Sequence, residues 1–450
     1  MPEMKNHGLI IVKGTAWTAL AFGTGQLVRF ATNVVLARLL APELFGIMVI
    51  VNALRTGIDL ITNAGIGQSV VQSKEAGTPE FYNTAWSLAV IRGAFLWIVC
   101  LGAALPLAHL YKTPILAWIL PIAGLTFVLG GLNSLSDYQI SRELNFAKLN
   151  LFQLIVEFIS SVGLVILAYF SPTIWALVFG LLLGSSVRLI GTYILLPTLR
   201  HTFNISRLYA QQIWTFGKWM LLSSIIYFFA MNFDRLYLGK YISLQILGVY
   251  GIGRSLSDPV VLLTQRISGI VIFPLIASSL TVTRANLRGD LASIRLKFLL
   301  AAVIGVSIFV ATGDLLVNIL YDQRYQAASW MVPLLVIGCW FSVLCAINES
   351  ILFGLGRTSY GAAGNALKLA WLFIALPLGF TRFGTLGAVA AIAVADFFRY
   401  FPILVGQIKE RFSFGTQDLL VTLLLFGLIL FWESLRQMMG FGTSLENIPL

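Results

Sequence analysis

Ten basic residues lie where a hydrocarbon solvent would penalise them. Arg29, Arg55, Arg92, Arg188, Lys218, Arg235, Arg254, Arg266, Lys368 and Arg399 all fall inside apolar runs rather than between them. A charge at the middle of a membrane helix costs about 2.5–3.5 kcal/mol, so ten isolated ones would cost on the order of 25–35 kcal/mol. They need carboxylates or a wet cavity, although Arg92, Arg235 and Arg399, nearest the helix ends, are expected to reach the headgroups instead. The embedded acids number seven, Asp59, Asp137, Glu157, Asp234, Asp258, Glu349 and Asp396. A surplus of cations implies an anionic cargo, and the planar guanidinium fork matches phosphate oxygens.

Helical phase sorts these residues into stripes. Gln26, Arg29 and Asn33 share one face of the first span, and Asn52, Arg55, Asp59 and Asn63 share one face of the second. Arg254, Ser257, Asp258, Gln265 and Ser268 do the same on the eighth, with Arg266 at the edge. Three such stripes imply one shared cavity, and Lys218 on the seventh span is a further candidate for it. Arg55–Asp59 and Arg254–Asp258 are spaced i, i+4 and could neutralise each other, whereas Arg29 has no acid on its own helix and is the cation most available to a ligand. Asp258 precedes Pro259, which removes a helical hydrogen bond and predicts a kink at that site.

Asp59, Asp258, Glu157 and Glu349 are also candidates for a coupling Na⁺ or H⁺, with Asn33 and Asn52 as polar cavity lining. Metal and disulfide chemistry find no support. Cys100, Cys339 and Cys345 lie in apolar runs without C-x-x-C spacing, and His7, His109 and His201 are scattered. No resident cofactor is expected.

The elements that must position these groups follow from composition. Of 450 residues, 58% are hydrophobic and only 11% charged, with a mean hydropathy of +0.87; soluble domains carry about a quarter charged residues. A soluble enzyme and a disordered chain are excluded. Crossing the bilayer takes about 20 apolar residues, which predicts twelve helices near 14–40, 43–70, 82–108, 114–140, 147–170, 173–197, 211–238, 244–278, 295–319, 328–354, 359–380 and 384–407. The run Leu419–Trp432 reads as a thirteenth span or an interfacial helix. The first segment is too long for a cleavable leader and carries Arg29 and Arg38.

With the N-terminus in the cytoplasm, loops on that side hold fourteen lysines and arginines, Arg295 among them, against six opposite, including Arg38 and Arg436. The positive-inside rule favours this orientation, so the net charge of +11 is mainly a topology signal rather than a nucleic-acid footprint. Loops are short and leave no room for an extramembrane domain.

A weak repeat runs through the chain. Leu36-Ala37-Arg38-Leu39-Leu40-Ala41-Pro42-Glu43-Leu44-Phe45-Gly46 is echoed by Leu238-Gly239-Lys240-Tyr241-Ile242-Ser243-Leu244-Gln245-Ile246-Leu247-Gly248. It equates spans one and two with spans seven and eight, as in transporters built from two parallel halves. The expected organisation is an N-lobe at 1–198, an inter-lobe loop at 199–210, a C-lobe at 211–408 and a C-terminal segment at 409–450.

Gly14-Thr15-Ala16-Trp17, the striped first helix, the stretch from Asn33 to Gly46, and Asn63-Ala64-Gly65-Ile66-Gly67 together resemble the polysaccharide flippases of the MOP exporter superfamily. The resemblance implies an all-α membrane fold, two six-helix lobes around a central cavity, that moves an undecaprenyl-diphosphate-linked oligosaccharide from the cytoplasmic to the periplasmic leaflet of a bacterial inner membrane. It implies that Arg29, Arg55 and Arg254 hold the lipid diphosphate, and that pathway polymerases and glycosyltransferases are the partners. A drug or cation antiporter of the same superfamily is the first alternative, and arginine-rich walls argue against it. A membrane polymerase is the second, and the absence of a large extracytoplasmic loop argues against that. No enzymatic activity is expected.

Overall fold

The computed structural model describes residues 2–61, 66–72, 78–143, 145–197, 199–278, 284–444 and 448. Within these, the side chains of 2–19, 61, 68, 72, 146, 214–223, 274, 277–278, 284–286 and 290 stand outside the description. Asn63 lies outside the described residues, as does the side chain of Lys218.

The described residues form fourteen α-helices and one 3₁₀ turn, and no strand appears among them. In order they are α1 (Pro2–Leu39), α2 (Pro42–Ile61), α3 (Ile66–Gln72), α4 (Pro79–Leu110), α5 (Leu116–Gly131), α6 (Ser136–Arg142), α7 (Phe146–Phe170), α8 (Ile174–Leu195), α9 (Arg207–Tyr241), α10 (Leu244–Ser278), α11 (Arg284–Leu320), α12 (Ala328–Gly354), α13 (Ser359–Lys409) and α14 (Gly415–Met438). Eight described helices, nine with the bent α5–α6 pair, are long and apolar enough to cross a membrane. The run read as a short thirteenth span is a full 24-residue helix, α14, long enough to cross.

Two expected spans join in α13, which breaks at Phe383 and Gly384. Gly384 has φ +58° and ψ −142°, a region essentially reserved for glycine. The expected span at 114–140 bends by 50° between α5 and α6. Through Pro259, by contrast, α10 runs on as one helix.

Contacts divide the chain into Met1–Gln245 and Ile246–Leu450. The boundary falls after α9 because that helix packs along α2. The repeat is visible in the turns: residues 40–41 join α1 to α2, and the equivalent residues 242–243 join α9 to α10. Gly46 lies so close to the Leu244 carbonyl that a Cβ there would fall 2.0 Å from its oxygen. In the same unit α1 packs on α7, α7 on α8, and α4 on α5. The last pair approaches closely because Gly93 faces the Phe127 carbonyl and Gly131 faces that of Ala89.

The C-terminal unit is built around α12, of which 83% of the apolar stretch is buried. Its polar residues are locked in charge networks. Arg399 Nη2 donates to both Glu349 oxygens at 2.7 and 2.9 Å, and Lys368 Nζ to both Asp396 oxygens at 3.0 Å. Arg399 therefore does not reach the headgroups. It is only 3% exposed because carboxylates on both sides compensate it inside the helix bundle. Arg295 and Arg436, counted as loop cations from the sequence, are also buried. Arg295 of α11 pairs with Asp418 of α14 and donates to Asn348 Oδ1 at 3.0 Å. Arg436 bridges both Asp314 oxygens at 2.8 Å. Both were misread because α14 folds back on α11 and covers positions that look terminal in the sequence.

Removing one partner from a buried pair strands the other charge, which costs about 3–5 kcal/mol. Arg295→Ala is expected to lower the thermal unfolding temperature in detergent markedly, whereas Arg357→Ala, from a half-exposed pair with Glu410, is expected to change it little. Equal melting temperatures for wild type and Arg295→Ala would overturn this account.

Candidate functional site

Two cavities lie among the described residues of the N-terminal unit that carry the sequence-predicted cations. The first, about 640 Å³, lies among α2, α4, α5, α6 and α8 and is walled by Arg55, Asp59, Arg92, Asp137 and Arg188 together with Asn133, Ser134 and Tyr138. The second, about 390 Å³, lies among α1, α7 and α8 and is walled by Arg29, Asn33 and Glu157 with Leu36, Leu164 and Leu181. Arg55, Ser185 and Arg188 line both. The two volumes meet at a pair of guanidinium groups.

Each cation is held by a neighbouring helix. Arg29 Nε donates to Gln26 Oε1 at 3.3 Å, so the α1 stripe orients it, and its Nη1 reaches Glu157 Oε2 on α7 at 3.3 Å. Arg29 is therefore paired across helices, although half of its side chain stays exposed. Arg92 Nη2 of α4 donates at 2.7 Å to both the Oδ1 and the backbone oxygen of Asp59. Two expectations change together: Arg92 does not reach the headgroups, and Asp59 pairs with Arg92 rather than with Arg55. Packing of α4 on α2 supplies a partner that spacing on one helix could not show. Arg188 Nη2 of α8 reaches Asp137 Oδ2 of α6 at 2.9 Å. Arg55 Nη1 donates to the neutral Thr126 hydroxyl of α5 at 3.0 Å, and no described carboxylate lies within ion-pair distance of it. Four arginines thus face three carboxylates around the cavities.

The bend between α5 and α6 brings polar groups to the wall. Breaking a helix in an apolar medium frees backbone groups that must be satisfied. Here Ser134 N donates to Thr192 Oγ1 at 3.1 Å, and Leu135 N donates to His201 Nε2 at 3.2 Å. Ser134 Oγ lies 3.1 Å from the same nitrogen, and Trp86 stacks on the imidazole at 5.6 Å. Burial pushes the His201 pKa down to about 4, which keeps the ring neutral, and the Leu135 N–H directed at Nε2 selects the tautomer in which that nitrogen accepts.

The remaining candidates divide between the two units. Asn33 lines the second cavity, while Asn52 is exposed and lines neither. In the C-terminal unit Arg254 pairs with Asp258 at 3.1 Å, as its spacing predicts, and Glu349 is enclosed with Arg399. Arg266 is exposed. Arg188, Asp137 and Asn133 were not selected as site residues from the sequence. Gly130-Gly131-Leu132-Asn133-Ser134 is a turn signature inside an apparent span, and it could have pointed to them.

A family model described as "Polysaccharide biosynthesis protein" matches residues 35–330. The succinoglycan biosynthesis transport protein ExoT of Rhizobium meliloti is 29% identical over 59% of this chain, and the match spans about half, 53%, of that relative's length. The lipopolysaccharide biosynthesis protein WzxC of Escherichia coli is 24% identical over 84% of this chain and 76% of its own. Among solved structures, the lipid II flippase MurJ in an inward closed conformation superposes with a TM-score of 0.70 at 13% identity, covering 92% of this chain and 91% of that one. That likeness bears out the expected all-α, two-lobed membrane fold.

Because His201 must be neutral to accept from Leu135, its contribution to stability is present above its ordinary pKa of 6.5 and is lost as pH falls through about 4. A His201→Gln variant keeps an acceptor but cannot titrate. Its melting temperature is expected to fall less than that of wild type between pH 6.5 and 4. Parallel losses in the two proteins would show that His201 does not clasp the bend.

Proposed function

We propose, from the premise that this chain belongs to the polysaccharide biosynthesis protein family, that it moves a lipid-diphosphate-linked oligosaccharide from the cytoplasmic to the periplasmic leaflet of a bacterial inner membrane for surface polysaccharide assembly. The observation that carries this reading is the set of Arg29, Arg55, Arg92 and Arg188 around two contiguous cavities, outnumbering their carboxylates by one. Glu157, Asp59 and Asp137 compensate three of the arginines. A diphosphate entering between them offers stronger, bidentate acceptors to the same guanidinium groups, so charge is exchanged rather than newly buried. The substrate is carried without covalent change, and enzymes that build or polymerise the glycan act before and after it.

A cationic cargo is disfavoured, since every carboxylate on these walls already has an arginine on it. A coupling Na⁺ or H⁺ would have to reach Asp59 or Glu157, which face the cavities, rather than the enclosed Glu349. The N-terminus is cytoplasmic in this reading. Removing the buried Arg295 and Arg436 from the loop count leaves thirteen cations against five, which strengthens the positive-inside bias.

Arg55→Ala is expected to insert normally and yet abolish surface polymer while lipid-linked repeat units accumulate inside. A hydrogen bond to a charged group contributes about 1.5–3 kcal/mol, on the order of 10- to 100-fold in affinity. Arg55→Lys keeps the charge but loses the planar fork, so it is expected to be intermediate. Wild-type polymer in both Arg55→Ala and Arg188→Ala would sink the assignment.

A further inference from the structure

The two cavities differ in chemistry, and two of the three residues they share, Arg55 and Arg188, are charged. Polar groups dominate the wall of the larger one, whereas most of the accessible wall of the smaller one is apolar, with Leu36, Leu164 and Leu181 on it beside Arg29, Asn33 and Glu157. Gly180 and Gly184 of α8 let α7 come close beside it, since a Cβ on Gly180 would fall 2.4 Å from Leu164 Cδ1. Both volumes lie within the range of about 300–1,000 Å³ typical of ligand pockets. At the α5–α6 bend, on the wall of the larger cavity, Asn133 Oδ1 is buried without a hydrogen-bond partner among the described residues.

We propose that the cavities divide one amphipathic ligand between them. An isoprenoid stem occupies the space among α1, α7 and α8, a hydroxylated sugar occupies the space among α2, α4, α5 and α6, and the diphosphate joining them lies at Arg55 and Arg188. The proposal rests on the flippase reading and adds to it the position and direction of the substrate within the N-terminal unit. The reverse placement is worse at both ends. Sugar hydroxyls in the smaller cavity would face a mostly apolar surface, and each one left there without a partner would cost about 1–3 kcal/mol. A stem in the larger cavity would cover Asn133 and Asp137 with hydrocarbon and leave the Asn133 acceptor unsatisfied. In the proposed direction the first sugar brings a hydroxyl donor to Asn133, and the stem meets the wall whose accessible surface is mostly apolar. A nucleotide sugar shares the diphosphate and the sugar but would place a polar base against leucines, so it fits poorly.

Two photoreactive probes test this on the full chain in lipid nanodiscs. Both are farnesyl-diphosphate N-acetylglucosamine, one bearing a diazirine on the first isoprene unit and the other on the N-acyl group. The stem probe is expected to label residues 160–185 of α7 and α8, and the head probe residues 126–138. Unlabelled lipid-linked sugar should protect both regions, and uridine diphosphate N-acetylglucosamine should not. Reversed labels, both labels in one region, labels within 246–450, no labelling, or protection by the nucleotide sugar would each overturn the proposal. Asn133→Ala provides a second arm: half-saturation for the sugar-bearing lipid should rise about five- to tenfold while that for farnesyl diphosphate stays unchanged. Equal shifts for both ligands would also overturn it. Expected labelling in a chain that cannot export would sink the flippase reading alone, and export with labels elsewhere would sink only this placement.

Discussion

The cost of carrying charge out of water governs this molecule. In a bundle this poor in ionisable groups, each embedded arginine or lysine must find a carboxylate, a neutral acceptor or an opening, and the helices are arranged around those solutions. The two units resolve the problem differently. In the C-terminal unit the pairs Arg399–Glu349, Lys368–Asp396, Arg295–Asp418 and Arg436–Asp314 are closed off from solvent and tie helices together. In the N-terminal unit Arg29–Glu157, Arg92–Asp59 and Arg188–Asp137 remain partly open and stand on cavity walls. One chemical device therefore gives rigidity in one place and exchangeable binding capacity in another. Accessibility is what separates the two outcomes.

Much of the architecture was legible because hydrocarbon thickness leaves few options. The expected spans match helices to within a few residues in most cases, with 244–278 and 328–354 reproduced at both ends. The faint echo between Leu40-Ala41 and Ile242-Ser243 marked two equivalent turns. The embedded cations could also be picked out one by one. Apart from Arg254–Asp258 on a single helix, their partners could not, because pairing depends on which helices become neighbours. Spacing on α2 suggested Arg55–Asp59, but α4 brings Arg92 to that acid. Arg295 and Arg436 looked like loop residues until α14 covered them. The family resemblance held, since it rested on turns and stripes that do not require tertiary knowledge.

Where the chain leaves the helix between α5 and α6, other groups replace missing helical bonds. At the α5–α6 bend the substitutes are Thr192 and His201, and His201 belongs to the connection leading out of α8. The chain that leaves the preceding spans thus returns to hold a sharply bent member among them. The deformation exposes Asn133 and Asp137 to the larger cavity while the same residues brace its far side. Shape and stability of the cavity wall are coupled through a single imidazole.

The contact between Gly46 and the Leu244 carbonyl has a historical reading. The two residues belong to segments that echo each other along the chain, so a turn packs against what looks like its own duplicate. In a duplicated polypeptide most positions are free to diverge once each copy has separate neighbours. Copies that touch one another are not, since a side chain gained at 46 must be absorbed by the backbone at 244. This junction should therefore retain ancestral character longest, and its glycine should change only together with the residues opposite it.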